Sequence, residues 1–232
     1  MNIKKVELAG SWGPGLPTVI LALLVFVLFP GIQFFLRNPP WLRDYGTLIY
    51  EAGFLLCILA ARMLSFRDLG FSPRYLWNHL MTGAVPGMVV VAGLPLLDGL
   101  LTVTRLDQTE LFSAVVRTGS EGEPGLPDLE NLAVSVLLGP LVEQTFFSGF
   151  IVQTFLRKFH PVLAIYAGGV LFTLAHFKLS LGLFLLGLGS ALLFRWTGTI
   201  YASLLVHACC ASAGILLVHF YPRLITLLGF LF

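Results

Sequence analysis

The residues of this sequence best able to do chemistry are one carboxylate and two imidazoles. Glu143 stands alone near the middle of the apolar run 137–155, LLGPLVEQTFFSGFIVQTF, and His176 and His207 lie in or beside later apolar runs. An ionised carboxylate at the centre of a membrane helix costs about 3 kcal/mol even on lenient scales, so a chain that keeps one has it facing a wet cavity or a partner. Burial disfavours a charged carboxylate, and a neighbouring imidazolium favours it. A carboxylate balanced between the two can deprotonate a water and later return the proton. One imidazole can help position that water. The other can donate a hydrogen bond to the oxyanion of a tetrahedral intermediate. Peptide hydrolysis within a membrane needs these parts. Two histidines and one carboxylate are also a set that can bind a catalytic zinc.

The elements that must position these groups are membrane helices. The chain of 232 residues is 57% hydrophobic and only 11% charged. Its mean hydropathy is +0.89. Soluble domains carry about 25% charged residues. The expected fold class is therefore all-α, one polytopic membrane domain over 1–232 with about seven or eight transmembrane helices of about 20 residues each. A net charge of +2 without a basic run excludes nucleic acid as a partner. Cys57, Cys209 and Cys210 fall in expected spans in no metal-binding spacing, so neither a disulfide framework nor a zinc motif is read from them. Nothing in the sequence specifies an oligomeric state.

Taken in order, the spans are 16–36, 47–64, 80–103, 129–156, 162–177, 181–196 and 200–220. The first is read as a span rather than a cleaved leader. The tail 222–232 is too short to cross unaided and reads as a half-span or a surface helix. Glu51 lies about one turn inside the second span and reads as a helix-end carboxylate near the headgroups, paired with Arg43. Asp98 reads as an interfacial residue at the far end of the third. The segment 65–79, SFRDLGFSPRYLWNH, is amphipathic and basic and reads as a connection lying on the membrane surface. Residues 105–130 form the main polar loop, with a short surface helix expected over 108–116. Spans five and six are short, so the turn around Lys178 is expected below the surface, covered by protein or water. Lys4, Lys5, Arg62, Arg67, Arg74, Arg157, Lys158 and Arg195 fall on one side, against Arg37, Arg43, Lys178 and Arg223 on the other. That bias favours a cytoplasmic N-terminus, in a bacterial cytoplasmic membrane.

Within the last four spans, Gln144 and Ser148 are four apart and share a face that Glu143 borders. Phe172 and His176 stack one turn apart. Ala211 follows His207 by one turn, with Cys209 and Cys210 between. Gly187 and Ala191 form a small-xxx-small pair that lets helices approach closely. His79, His160 and His219 read as interfacial, and the cysteines as small core residues rather than nucleophiles, because burial disfavours a thiolate.

LLGPLVEQTFFSGFIVQTFL, LFTLAHF and GLFLLGLGSALLFRWTGTIYASLLVHACCASAGIL resemble the three motifs of the CPBP family, which contains type II CAAX prenyl proteases and bacterial Abi-type proteins. The family pattern is Glu-Glu-x-x-x-Arg, then Phe-x-x-x-His, then His-x-x-x-Asn or a variant. The resemblance covers a catalytic core over about 131–220 and includes a Trp-x-x-Gly-like turn at 195–198. It implies a glutamic-type, metal-free intramembrane endopeptidase with no cofactor. Its partners would be the lipid bilayer and a membrane-anchored protein or peptide substrate. By the same resemblance, Glu143 is the water-activating glutamate, His176 its partner and His207 the oxyanion contact.

Three positions depart from the pattern. Gln144 stands for the second Glu, Ser148 for the Arg, and Ala211 for the Asn. Losing one acid and one base together is charge-consistent. Ala211 removes a donor from the implied oxyanion site, where one donor is worth about a hundredfold or more in rate. Cys209, Cys210 or Ser212 is near enough in sequence to replace it in part. The alternative function is a catalytically impaired member acting as a membrane scaffold, immunity factor or chaperone-like protein. Metal-dependent hydrolysis, with Glu143, His176 and His207 as ligands, ranks lower. A small transporter is disfavoured, because the sequence shows no internal repeat and no matched pair of broken spans.

Overall fold

In lipid every backbone polar group must be satisfied internally, and helix does this within one segment. Helix is also the only regular structure among the described residues of the computed structural model, which are 20, 22, 40–74, 76–104, 129–176 and 180–228. Seven helices follow in order: α1 Pro40–Ala60, α2 Leu76–Thr104, α3 from Leu129 to Lys158, α4 Pro161–Ala175, α5 Leu181–Thr197, α6 Tyr201–Phe220 and α7 Pro222–Leu228. Three of them, α2, α3 and α6, are long and apolar enough to cross a membrane, whereas the apolar helices within α1, α4 and α5 are shorter. The first expected span, the 108–116 helix and the Lys178 turn lie outside the described residues, apart from Ile20 and Ala22.

The apolar residues left outside fit lipid. α2 exposes Val85, Met88, Val89, Leu96 and Val103, the last at 83%. Water penalises such a face, and hydrocarbon does not. On its other side α2 packs closely along α6. A Cβ on Gly83 would stand 2.4 Å from the Ala202 carbonyl oxygen, and one on Gly87 would stand 2.7 Å from the Cys209 sulfur. This four-residue spacing of glycines is what brings two membrane helices together.

The connection read over 65–79 as a surface element keeps Ser65, Phe66, Arg67 and Trp77 exposed and turns Leu69 inward. Leu64 and Leu69 are buried in the same apolar cluster as Phe146, Phe150 and Phe172. Ser65 opens the turn by donating its hydroxyl to Asp68 at 2.6 Å. Gly70, at φ 93°, then reverses the chain. The Ile200 N–H donates to the Gly70 carbonyl at 3.4 Å. A Cβ on Gly149 would stand 2.5 Å from the Leu69 carbonyl oxygen, so this segment presses directly on α3.

Two ends are fixed by side chains. Ser180 accepts the Leu183 N–H at 3.3 Å at the start of α5, and Gly198, at φ 70°, closes its end in the left-handed conformation. The tail helix α7 is docked rather than loose. Arg223 holds Asp98 through Nε and, at 2.5 Å, through Nη2. Leu224 is fully buried in the cluster formed with Leu94, Leu101 and Leu217. Asp98 is thus one half of a two-toothed ion pair between α2 and α7.

Candidate active site

The helix α3 is not a uniform coil. It runs as α-helix over Leu129–Ala133, Gly139–Gln144 and Gln153–Lys158, with wider π-helical turns over Val134–Leu138 and Thr145–Val152. Such turns absorb an extra residue and occur mostly at functional sites. Glu143 sits at the end of the middle α-helical piece, immediately before the second π stretch. Every residue of that stretch is buried, so it packs on all sides and leaves Glu143 at the edge of an apolar collar.

His176 comes from the end of α4. Its ring Nδ1 lies 2.8 Å from the Phe172 carbonyl, and the carbonyl can only accept, so Nδ1 carries the hydrogen. The imidazole therefore closes one of the open carbonyls of the helix end. In the neutral ring this leaves a lone pair on Nε2, which faces Glu143 Oε2 at 3.4 Å. The lone pair and the carboxylate are both acceptors, so together they can take up one proton between them.

His207 comes from the middle of α6, and its Nε2 faces the same Oε2 atom at 3.6 Å. Its other nitrogen is set by Gln144. The Ser148 hydroxyl donates to Gln144 Oε1 at 2.7 Å, and Gln144 Nε2 donates to His207 Nδ1 at 3.1 Å. Both Gln144 and Ser148 are buried. With Nδ1 accepting, the hydrogen of the neutral ring is on Nε2, directed into the site. That arrangement gives a hydrogen-bond donor beside Glu143. It also removes the lone pair that a metal would need from His207. Among the described residues no set of three or more His, Cys, Asp and Glu is arranged to hold a metal ion.

Phe172 holds both imidazoles. Its ring centroid is 4.6 Å from that of His176 and 5.6 Å from that of His207, edge-on to the latter. Gly187 of α5 sets how close Phe172 can come, since a Cβ there would stand 2.7 Å from Phe172 Cβ. Three helices thus bring Glu143, His176 and His207 to one point, where the side chains remain 17%, 23% and 11% exposed. These openings leave the groups reachable by a small molecule.

The region of the third departure is plain. Ala211 is half-buried one turn beyond His207 and has no polar side-chain atom. Cys209 packs toward Gly87 of α2, and Cys210 packs in the cluster of Leu193, Ala202 and Val206. Ser212 donates to the Ala208 carbonyl of its own helix at 2.8 Å.

Glu51 is the residue that sequence reasoning misplaced. It is fully buried in protein, and neither of its carboxyl oxygens has a hydrogen-bond partner among the described residues. The helix around it begins at Pro40, so Glu51 lies mid-helix rather than one turn in. α1 packs against the Gly139–Gln144 piece of α3, the piece that carries Glu143. The signal available was a second lone acid in an apolar run.

An all-helical bundle with three helices of membrane-crossing length, built around a carboxylate and two imidazoles, is the setting in which the comparison with known families falls. A family model described as Type II CAAX prenyl endopeptidase Rce1-like matches residues 126–213, against the 131–220 read from the motifs. The match includes Glu143, His176 and His207, and the resemblance of this segment to that family is shown. No curated protein and no solved structure matches the chain.

Proposed function

We propose that the protein is a glutamic-type intramembrane endopeptidase acting on a membrane-associated protein or peptide. The observation that carries this reading is the convergence of His176 Nε2 and His207 Nε2 on one oxygen of Glu143, at 3.4 and 3.6 Å, from three different helices. Glu143, with His176 beside it, takes a proton from a water that attacks the scissile carbonyl carbon. The carbonyl π electrons move to oxygen, and the Nε2–H of His207 stabilises the resulting oxyanion. When the intermediate collapses the C–N bond breaks, and the proton held at Glu143 and His176 passes to the leaving amine. Phe172, Gln144 and Ser148 position the imidazoles and do not touch the reacting atoms.

The matched family is named for CAAX prenyl endopeptidases, so a prenylated C-terminal tail is the first substrate to test. The test is cleavage of tagged membrane substrates in cells by wild type and by Glu143→Gln at matched protein levels. Loss of cleavage with the fold intact is expected. Equal cleavage by both refutes the glutamate mechanism.

One observation favours a second reading, a family member that keeps the fold and acts as a scaffold. Ala211 has no polar side-chain atom with which to add a donor beside His207. A cellular phenotype that survives Glu143→Gln would support the scaffold.

A further inference from the structure

The cations between α1 and α2, and those at the ends of α3 and α5, take no part in the reaction drawn above. The fold gathers them at one end of the bundle. Tyr50 and Phe54 of α1 meet Phe146 and Phe150 of α3 in that order, so the two helices run the same way and finish on one side. The turn between α5 and α6 joins them there, through the bond from the Ile200 N–H to the Gly70 carbonyl. The start of α2 is tied to the same turn, with His79 Nδ1 2.8 Å from Thr199 Oγ1.

At this end each exposed aromatic ring stands beside an exposed cation. Phe66 adjoins Arg67 in the connection, and Trp77, 71% exposed, follows Arg74 by three residues. Phe159 adjoins Lys158 after α3, and Trp196 adjoins Arg195 near the end of α5. Arg62 adds to the positive charge, whereas Asp68, which accepts from the Ser65 hydroxyl, is the acid described here. The described side chains of the far end carry no such set: Glu130 is exposed, and Asp98 and Arg223 close on each other. Aromatic rings settle at the headgroup level of a bilayer, and long basic side chains reach from there toward the phosphates.

We propose that this end of the bundle is a binding surface for anionic phospholipid headgroups. The rings enter the glycerol and upper acyl layer, and the cations beside them meet the phosphates and the extra negative charge of the headgroup. An anionic leaflet attracts such cations by about fivefold in affinity for each one near the surface. The lipid meets fixed groups rather than a loose loop, because Leu64 and Leu69 of the connection are buried on its inner side while Phe66 and Arg67 stay outside. The proposal does not depend on the endopeptidase reading.

The test uses the full chain in lipid nanodiscs and follows the quenching of tryptophan fluorescence by brominated phosphatidylglycerol or brominated phosphatidylcholine. Two variants each keep one tryptophan, Trp77 or Trp196, with the other three of the chain changed to Phe. Phosphatidylglycerol is expected to be preferred by about fivefold or more at both positions. The preference should fall toward unity in about 1 M salt, where the screening length is about 3 Å. It should also be lost when Arg67, Arg74, Lys158 and Arg195 are all changed to Gln, and kept when the three arginines are changed to Lys. Equal quenching by the two lipids overturns the proposal and leaves the basic end to an acidic protein partner. A preference that persists in about 1 M salt overturns it too. The lipid comparison and the salt arm need no charge variant, so they decide the matter even if the Gln variant does not fold.

Discussion

Gly187→Ala adds one methyl group at the point where α5 meets α4, and its effect can be worked from the structure. The new Cβ would stand 2.7 Å from Phe172 Cβ and 3.1 Å from Gly169 Cα. Carbon atoms rest at about 3.5–4.0 Å. These neighbours belong to or adjoin the backbone, so no flexible side-chain end can give way. The gap must open by about 1 Å, and Phe172 moves with it. Phe172 is the ring on which His176 and His207 rest, so the separation of His176 from Glu143, now 3.4 Å, changes by a similar amount. A misplacement of about 1 Å costs about a hundredfold in rate. Overpacking should destabilise the fold by about 1–3 kcal/mol, or roughly 2–4 °C in melting temperature per kcal/mol at this size. The assay is kcat on a tagged membrane substrate together with a melt in nanodiscs. Gly189→Ala is the control, because a Cβ there meets nothing within 4 Å. It should leave kcat unchanged and be neutral or stabilising by up to about 1 kcal/mol from helix propensity. If Gly187→Ala keeps kcat within about twofold of wild type, the approach of α5 does not set the imidazoles, and the reasoning fails.

The other predictions concern the polar groups. Gln144→Met removes the donor to His207 Nδ1 with little change of shape. Ser148 can then turn to a carbonyl one turn back, as Thr145 and Thr154 do at 2.6 and 2.8 Å. The orphaned Nδ1 should cost about 1–3 kcal/mol, read by melting. The exchange of His207 ring hydrogen between nitrogens should become visible by nitrogen NMR, and an unchanged ring signal would reject the assigned network. Ala211→Asn places a donor one turn beyond His207 and should raise kcat by about tenfold or more; a drop in kcat at an unchanged melting temperature would remove Ala211 from the oxyanion region. Arg223→Met should release α7 from Asp98 and lower stability by about 1 kcal/mol while leaving kcat unchanged, because the pair is partly exposed and touches none of Glu143, His176 and His207 in its hydrogen bonds. Loss of kcat in that variant would tie the tail to catalysis.

How much of the site was legible follows from where each residue stands in the sequence. Glu143, His176 and His207 were conspicuous because each interrupts or borders an apolar run. The Ser148–Gln144 bond was implied by four-residue spacing, and so was Phe172 beneath His176. The edge contact of Phe172 with His207 crosses two helices and leaves no trace in spacing. Glu51 was misjudged because the helix start was set by hydropathy at 47, whereas the chain is already helical at Pro40. Within 65–79 the inward turn of Leu69 was not legible, because Arg67, Asp68 and Arg74 dominate the stretch and the apolar cluster that buries Leu69, with Phe146 and Phe150, lies far off in sequence. The π stretches are mostly apolar, with Ser135, Thr145 and Ser148 among them, and nothing in that pattern announces a change of pitch.

The π-helical turns over Thr145–Val152 have a consequence for chain length. A regular α-helix advances about 100° per residue, and a π turn takes up one residue more than that pitch allows. The stretch thereby sets the phase between Glu143 before it and Thr154 and Phe155 after it. Deleting a single residue within 145–152 would let the segment relax to regular pitch with its composition almost intact. The two halves of α3 would then be turned relative to each other, and Glu143 could not face the imidazoles while Phe155 kept its place in the core. In this segment the number of residues matters as much as their kinds: exchanges of one apolar residue for another are tolerated more readily than the loss or gain of one.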